Sequence, residues 1–389
     1  MSRPLRLLLP DGTIAPYMPH GRPLVLPKSR PAFNRVVYSA AHVVADPRAP
    51  AEPAIGSAID WDATIAYRRY LADLGLGIAE AMDTAQRGMG LAWPQALDLI
   101  GCTLDNLSDY ADVPIACGVG TDQCGPASVR DLDGVVRAYL EQLHAVQRLG
   151  GRVILMASRA LARVAVSADD YLGVYARVLA ECERPVILHW LGAMFDPALA
   201  GYWGSADPDA ALQTVLSLIG AHAASIDGIK ISLLDAEMEV RARRRLPPGV
   251  RMYTGDDFNY PDLIAGDAAG HSDALLGIFD AIAPAASLAL GALANGETLR
   301  FHSILAPTLP LSRTIFRAPT YAYKTGVVFL AWLNGFQDHF IMLGGAQALR
   351  PLTYFAQVFR EADAAGLLRD PDFAATRMRT LLALHGITG

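Results

Sequence analysis

Short apolar runs alternate with longer segments of helical period along most of this 389-residue chain. Runs rich in β-branched residues are typical of strands buried on both faces of a parallel sheet. Eight such runs occur, at residues 35–44, 77–82, 113–119, 152–156, 185–190, 226–233, 251–254 and 274–279. Helical periods lie between them, and eight strand–helix repeats within about 250 residues predict an α/β fold, the (β/α)8 TIM barrel. The competing doubly wound sheet would carry a glycine-rich dinucleotide fingerprint after its first strand, and none is present.

The two ends of the chain carry different patterns and are predicted to be appendages of the barrel. Near the N-terminus, two apolar stretches flank the turn-forming Pro10-Asp11-Gly12, which predicts a β-hairpin. The C-terminal part shows helical periods only, at residues 285–295, 299–315, 320–333, 351–365 and 371–385. We therefore expect an N-terminal extension at 1–35, a barrel at 36–284 and a C-terminal helical region at 285–389.

One lysine stands inside the sixth predicted strand, Ile226 to Leu233. The chain has three lysines, Lys28, Lys230 and Lys324, against thirty arginines, so lysine is not its general surface cation. A buried ammonium is costly unless it is paired or loses its proton. A neutral amine beside a carbonyl compound is a Schiff-base nucleophile. The alternative for Lys230 is an edge-strand side chain whose ammonium reaches water.

Composition narrows the classes of function that the chain can have. Hydrophobic residues make up 52% and the net charge is −6, without a long basic run, so we expect no nucleic-acid partner. The four cysteines form no CxxC pair, which argues against a zinc knuckle or a disulfide framework. No uninterrupted apolar run reaches the roughly 18 residues of a membrane span, and the segment Met1 to Pro10 is too short and too soon broken by proline for a signal peptide. We expect a cytoplasmic protein that does not contact membranes.

Polar side chains at the C-terminal ends of the predicted strands form the candidate site, because active sites of such barrels lie at that end. His189 is the acid–base candidate, since imidazole titrates closest to neutral pH, although it could be hydrogen-bonded within the barrel wall instead. Asp83 could bind substrate hydroxyls, hold Lys230 or cap the following helix. The predicted catalytic residues are Lys230 and His189, and the predicted substrate-binding residues are His42, Asp83, Thr84, Trp190, Asp256 and Gly277.

These residues resemble the class I aldolases of the dihydrodipicolinate synthase and N-acetylneuraminate lyase superfamily, over about residues 35–370. Gly228-Ile229-Lys230 is similar to the strand that carries the Schiff-base lysine of that family. Thr254-Gly255-Asp256-Asp257 resembles the turn after its seventh strand, Ile59-Asp60-Trp61-Asp62-Ala63 the start of its first barrel helix, and Pro185-Val186-Ile187-Leu188 its fifth strand. The resemblance implies that Lys230 is the nucleophile.

The chain also departs from the family pattern, as a divergent branch would. Where the family has a proton-shuttling tyrosine followed by asparagine, this sequence has His189-Trp190. The loop that binds the carboxylate of a 2-oxo acid in the family reads Met82-Asp83-Thr84-Ala85-Gln86 here. An aspartate there would repel a substrate carboxylate. Met194 stands where some synthases carry an arginine for a second carboxylate.

The resemblance and its departures together predict a lyase of the aldolase type. Lys230 would form an imine with the keto group of a polyhydroxylated, sugar-derived small molecule, and a C–C bond would be formed or cleaved. We expect no cofactor, no bound metal and a homo-oligomer, either a dimer or a tetramer.

Two alternatives remain open at this point. A metal-dependent aldolase or isomerase would use His42, Asp83 and His189 as ligands, although their separation carries no ligand-spacing signal. A non-catalytic barrel that binds a metabolite is the second, because the fold alone does not imply activity.

Overall fold

A computed structural model of the chain describes residues 4–27, 29–50, 52, 58–125 and 127–388. Lys28 lies outside the described residues. The described residues within 1–34, 42–75 and 278–389 form one compact unit, and those within 35–41 and 76–277 form the other. The second unit contains a closed barrel and is called the barrel unit here, and the first is called the helical unit.

The barrel unit is a (β/α)8 TIM barrel in strand order and direction, as the apolar pattern predicts. Its eight strands, all parallel to their neighbours, are β3 (Val37–Ala40), β4 (Gly77–Glu80), β5 (Ile115–Val119), β6 (Arg152–Leu155), β7 (Val186–Leu191), β8 (Ile226–Ser232), β9 (Arg251–Thr254) and β10 (Asp273–Leu276). They follow one another around the barrel, and β10 closes it by pairing with β3. Helices lie between these strands along the chain, as the helical periods between the apolar runs predict.

The helices that follow β4 to β9 in this unit are α2 (Trp93–Asn106), α3 (Leu132–Arg148), α4 (Arg159–Val164), α5 (Ala168–Leu179), α6 (Pro208–Ala221), α7 (Ala236–Arg243) and α8 (Tyr260–Ala265). Short 3₁₀ helices lie at Asp83–Ala85, Pro197–Leu199, Tyr202–Gly204 and Ala223–Ser225. Aspartate and serine side chains cap several helices: Asp131 accepts from the backbone of Gly134, and Ser167 forms a capping box with Asp170. These caps fix where each helix leaves its loop.

The interior of the barrel is filled by apolar side chains from alternate strand positions. Tyr38 and Tyr253 meet edge to face, with ring centroids 5.9 Å apart. The other members of this core are Ala40, Ala79, Met82, Ala116, Ile154, Met156, Ile187 and Leu275. Small residues let the strands approach closely: a Cβ on Gly228 would lie 2.6 Å from the carbonyl oxygen of Arg251 and 2.7 Å from the Tyr253 ring. The barrel interior is therefore tightly packed around Gly228, two residues before Lys230 in the same strand.

The helical unit contains the predicted N-terminal hairpin and the C-terminal helices. Strands β1 (Leu5–Leu8) and β2 (Ile14–Tyr17) pair antiparallel. The helices are α1 (Trp61–Asp73), α9 (Ile278–Ala281), α10 (Ala283–Ala294), α11 (Thr298–Leu305), α12 (Thr308–Ile315), α13 (Tyr323–Leu333), α14 (Leu352–Ala364) and α15 (Pro371–Leu384), with 3₁₀ helices at Thr320–Ala322 and Leu343–Leu349. In the parts of the chain that the structure describes, no helix combines the length and apolarity that crossing a membrane requires.

Three sequence expectations about elements need correction. The segment 299–315, predicted as one helix, is two helices that break at Ala306 and Pro307, because proline lacks the amide hydrogen that would continue the first helix. The first barrel strand is shorter than the predicted 35–44. Gly277, placed in the eighth strand by the sequence, directly follows it, since β10 ends at Leu276.

Candidate active site

Lys230 lies in the middle of β8, the longest strand of the barrel. Its Cα pairs in register with His189 on β7 and with Tyr253 on β9. Because side chains of register partners share a face of a sheet, the three side chains lie on the same face, where Tyr253 belongs to the barrel core. Lys230 is only 6% exposed. The lysine is thus an interior group, and the edge-strand alternative does not describe it.

Gly255 makes room for the Lys230 side chain. A Cβ atom at position 255 would lie 2.8 Å from Cε of Lys230, 2.2 Å from Oγ of Ser232 and 2.7 Å from the carbonyl oxygen of Ile231. Distances of this size are shorter than real Cβ contacts allow, so any larger residue would displace the strand or the lysine. The glycine of the turn after β9 is therefore a steric requirement of the site.

Burial and two carboxylates set the charge of Lys230. Burial lowers the pKa of its ammonium, while Asp83 and, to a smaller extent, Asp257 offset part of that effect by favouring the cation. The net pKa is below the ordinary value for lysine. A lysine with a lowered pKa has more of the neutral amine that can act as a nucleophile.

Asp83 follows β4 and is the first residue of the 3₁₀ helix Asp83–Ala85. It is partly exposed, while the neighbouring Thr84 is buried. The N-caps of this 3₁₀ helix and of α2 are Met82 and Ala92, so Asp83 caps neither helix, and its charge raises the pKa of Lys230.

His189 is buried, and its Nε2 lies 3.2 Å from Oγ of Ser232. Burial, together with the nearby Lys230 charge, lowers the pKa of His189 to about 3, although Asp83 opposes this. The imidazole is therefore neutral at pH 7. The sequence predicted a group that titrates near neutral pH, and burial together with the Lys230 charge moves the pKa away from that range. Its Nδ1 atom is buried without a hydrogen-bond partner among the described residues.

The two aspartates of the turn after β9, Asp256 and Asp257, have different interactions. Asp256 accepts hydrogen bonds from the backbone amides of Phe258 and Asn259 at 2.8 and 3.1 Å and from the Asn259 side chain at 2.8 Å. Asp256 thus stabilises the entry to α8. Asp257 acts electrostatically on Lys230. Asp256 is the predicted binding residue of this turn, whereas Asp257 is the aspartate whose charge acts on the lysine.

Trp190 and Gly277 are not brought into this group by the strand geometry. Trp190 is adjacent to His189 in β7 and pairs in register with Ile231. Successive side chains of a strand point to opposite faces, so Trp190 lies on the face opposite to His189 and Lys230. Gly277 ends the barrel unit and offers no side chain.

His42 belongs to the helical unit, where it forms a buried hydrogen-bonded cluster. Its Nδ1 lies 2.8 Å from a carboxylate oxygen of Asp280, which also accepts the His42 backbone amide at 2.7 Å. The Tyr67 hydroxyl donates to Asp280 at 2.8 Å, and Arg68 donates to the His42 carbonyl at 2.6 Å. The Nε2 atom of His42 has no partner among the described residues.

No grouping of three or more His, Cys, Asp or Glu side chains within the described ranges has the arrangement of a metal site. For His42, the carboxylate of Asp280 already occupies Nδ1. For His189, the Ser232 hydroxyl is the neighbour of Nε2. The donor set of the metal-dependent alternative is therefore not assembled within either unit.

Ser232 and Glu239 were missed by the sequence analysis. Ser232 is two residues after Lys230 in the same strand, so strand alternation alone would have placed it on the same face. Glu239 on α7 accepts hydrogen bonds from the hydroxyls of Thr254 at 2.9 Å and Ser272 at 2.7 Å. Burial raises the pKa of Glu239 to about 8. No sequence signal marks this carboxyl, because it lies within an ordinary charged helix.

Comparisons with known proteins give one family and one fold. A family model described as "Protein of unknown function (DUF993)" matches residues 5–387. No curated protein matches the chain. Solved dihydrodipicolinate synthase structures share the fold. The 4-hydroxy-tetrahydrodipicolinate synthase of Methylacidiphilum fumariolicum SolV is 15% identical, with a TM-score of 0.64, covering 85% of this chain and 95% of its own.

Two further structures of the dihydrodipicolinate synthase family resemble the chain to a similar degree. YagE of E. coli K12, a prophage protein of the dihydrodipicolinic acid synthase family solved in complex with pyruvate, is 14% identical with a TM-score of 0.63, covering 92% of this chain and 100% of its own. A protein described as the first monomeric dihydrodipicolinate synthase variant is 14% identical with a TM-score of 0.65, covering 86% and 97%. At these identities the likeness establishes the fold.

Proposed function

The chain belongs to the DUF993 family, and we propose that it is a lyase of the Schiff-base aldolase type acting on a polyhydroxylated, sugar-derived ketone. The observation that carries the proposal is Lys230: a buried lysine with a lowered pKa in a barrel strand, with two carboxylates acting on it. The dihydrodipicolinate synthase fold supports the class of chemistry by analogy.

The first half of the proposed reaction needs the neutral amine of Lys230. Its nitrogen lone pair attacks the carbonyl carbon, and the carbonyl oxygen takes up a proton to give a carbinolamine. Loss of that oxygen as water then gives a protonated imine. The carboxylates of Asp83 and Asp257 favour a cation at the Lys230 nitrogen, and they would favour the protonated imine for the same reason.

In the second half, the protonated imine accepts the electron pair of the C–C bond that breaks. In the cleavage direction, the hydroxyl on the β-carbon loses its proton as it becomes a carbonyl, and the other fragment remains as an enamine on Lys230. A base must take that proton, and a donor must protonate the enamine carbon before water releases the product. We assign these transfers to His189, whose neutral imidazole has one acceptor and one donor nitrogen and passes a proton on by accepting it at one nitrogen while releasing one from the other. With a pKa of about 3 the imidazole does not hold the proton as an imidazolium. The same steps in reverse describe condensation.

The charges at the site argue for a ketone without an adjacent carboxylate. A substrate carboxylate about 4 Å from Asp83 would meet a repulsion of about 4 kcal/mol at an effective dielectric constant near 20. Hydroxyl groups, in contrast, are donors that a carboxylate accepts. YagE was solved with pyruvate, whereas we propose that Asp83 and Thr84 bind hydroxyls in the present chain.

The assembly and the compartment are further parts of the proposal. We propose a cytoplasmic homo-oligomer, a dimer or tetramer, whose ligand is a small molecule. One solved relative is described as monomeric, and sedimentation velocity of the purified protein tests the proposed oligomer.

The substrate class can be tested with a matched pair of three-carbon probes. Borohydride reduction in the presence of dihydroxyacetone should give a stable mass adduct on the protein, and pyruvate at the same concentration should give far less. Equal trapping of pyruvate would contradict the substrate class while leaving the Schiff-base chemistry intact.

A further inference from the structure

The segment that carries Asp83 has an unfavourable backbone. This segment, residues 81–91, is called the Asp83 loop here. Ala81 and Gln86 have φ angles of 51° and 62°, in the left-handed region that residues other than glycine rarely adopt. Residues other than glycine are strained in this region because the Cβ atom crowds the backbone carbonyl oxygen. The conformation therefore persists only if contacts elsewhere hold the loop.

Arg87 supplies such contacts from within the loop. Its Nε and Nη2 donate to the two carboxylate oxygens of Asp122 at 2.7 and 2.8 Å, a bidentate ion pair. Its Nη1 donates to the carbonyl oxygens of Ala81 at 3.2 Å and Gly118 at 3.0 Å. The guanidinium thus joins the start of the Asp83 loop to β5 and to the residues that follow β5.

A buried glutamine completes this anchor. Gln142 on α3 accepts from Nη2 of Arg87 at 2.5 Å and from the backbone amide of Gly120 at 2.7 Å, and it donates to Asp122 at 3.1 Å. Burial raises the pKa of Asp122, but the charge of Arg87 and these hydrogen bonds outweigh it, so the pKa lies below the usual value. Arg87 itself is 7% exposed.

We propose that Arg87 is a positioning residue of the Schiff-base site: by fixing the Asp83 loop to β5 and Asp122, it holds the Asp83 carboxylate beside Lys230. This inference rests on the proposed function for its catalytic meaning. The groups that act on Lys230 are Asp83 from the loop, Asp257 from the turn after β9 and His189 from β7. Of these, only Asp83 lies in the segment that Arg87 anchors.

The direction in which the pKa of Lys230 changes when Arg87 is replaced separates a positioning role from a direct charge effect. Removing the Arg87 cation and leaving Asp122 unneutralised would, acting through space alone, favour the Lys230 ammonium and raise its pKa. Loss of the anchor instead lets Asp83 move away, which removes an attraction and lowers the pKa. A purely structural role would reduce stability and leave the pKa of Lys230 unchanged.

The pKa of Lys230 can be read directly because the chain has only three lysines. Protein labelled with ¹³C at the lysine ε-carbon gives three NMR signals, and the Lys230→Arg variant identifies one of them. For Arg87→Gln we expect the pKa of Lys230 to fall by about one unit or more. Asp83→Asn should lower it similarly, and the double variant should add little beyond Asp83→Asn.

Two further variants keep the test decisive. Gln142→Met changes no charge, so a lowered pKa of Lys230 supports positioning even if Arg87→Gln fails to fold. Arg243→Gln is the matched control: Arg243 is a similarly buried arginine of the barrel unit, bound to Asp267 at 3.0 Å and outside the Asp83 loop. Arg243→Gln should leave the pKa of Lys230 unchanged.

A raised or unchanged pKa of Lys230 in Arg87→Gln or Gln142→Met would overturn the inference. The measurement needs no substrate, so its failure is distinct from a failure of the proposed function. If no ketone is trapped on Lys230 although Arg87→Gln lowers its pKa, the positioning role stands and the Schiff-base chemistry falls.

Discussion

The Cε atom of Lys230 lies 2.8 Å from the place that a Cβ atom of residue 255 would occupy, and residue 255 is glycine. The turn after β9 and the strand that carries the lysine therefore fit each other only without a side chain at this position. The same absent Cβ would lie 2.2 Å from Oγ of Ser232. The Lys230 side chain is packed against this turn, which restricts the orientation of its amine.

Gly255→Ala should displace Lys230 and impair its chemistry. A misplacement near 1 Å costs about 10²-fold in well-oriented reactions, so we expect adduct formation with a small ketone to slow by roughly that factor. The measurement is the rate of borohydride trapping by intact mass. Gly173→Ala, in helix α5 with no heavy atom near its added Cβ, is the control and should trap at the wild-type rate. Wild-type trapping in Gly255→Ala would contradict the packing argument.

Asp83→Asn should move the pH dependence of imine formation to lower pH. The Asp83 carboxylate raises the pKa of Lys230, so its removal lowers that pKa, and the reactive neutral amine then persists in more acidic solution. Acetone is the suitable probe, because it has no hydroxyls for Asp83 to bind. We expect Asp257→Asn to act in the same direction with a smaller shift. An unchanged or raised acid limb in both variants would show that these carboxylates do not act on the lysine.

His189 should make the folded protein sensitive to acid. Its pKa is about 3 when folded and about 6.5 when unfolded, so between these values the unfolded chain binds a proton that the folded chain excludes. Stability then falls as pH decreases, by about 1.4 kcal/mol per pH unit for this one group. Urea unfolding between pH 6 and pH 4.5 gives the free energy of unfolding at each pH. In His189→Asn this free energy should fall less steeply with decreasing pH than in wild type, by about that amount per pH unit. Equal slopes would mean that the folded imidazole takes up the proton.

Glu239 should have the opposite pH signature. Burial raises its folded pKa to about 8, against roughly 4.3 for an unperturbed glutamate, so the folded protein holds a proton that the unfolded chain has lost. Stability falls as pH rises through this window, by about 1.4 kcal/mol per pH unit. Glu239→Gln keeps a hydrogen-bonding amide for Thr254 and Ser272 without a charge. The free energy of unfolding of Glu239→Gln relative to that of wild type should increase from pH 5.5 to pH 8. A difference that stays constant over this range would contradict the raised pKa of Glu239.

The barrel was predictable because strands buried on both faces leave continuous apolar runs in the sequence. The eight runs correspond to β3–β10, and the Pro10-Asp11-Gly12 turn separates the two strands of the observed hairpin. The break between α11 and α12 was missed because a helical period continues through Pro307. Periodicity reports which face is apolar and does not report a missing hydrogen bond.

The candidate site was predictable in part. Lys230 was found from its rarity and its apolar strand, and its alignment with His189 became visible only with the register of β7 and β8. The choice between Asp256 and Asp257 depends on the direction of side chains in a turn. Turns have no regular side-chain periodicity, so the sequence pattern does not predict that direction. The low pKa of His189 comes from burial and from Lys230, both of which are consequences of three-dimensional packing.

The most direct test of the account is to locate the reduced adduct. Wild-type protein is treated with dihydroxyacetone and borohydride and digested, and the modified lysine is identified by mass spectrometry; Lys230→Arg and Lys324→Arg are treated in parallel. We predict one modified site, Lys230, which disappears in Lys230→Arg and remains in Lys324→Arg. An adduct that survives in Lys230→Arg, or no adduct in wild type across a panel of keto sugars, would contradict the proposal that Lys230 is the nucleophile.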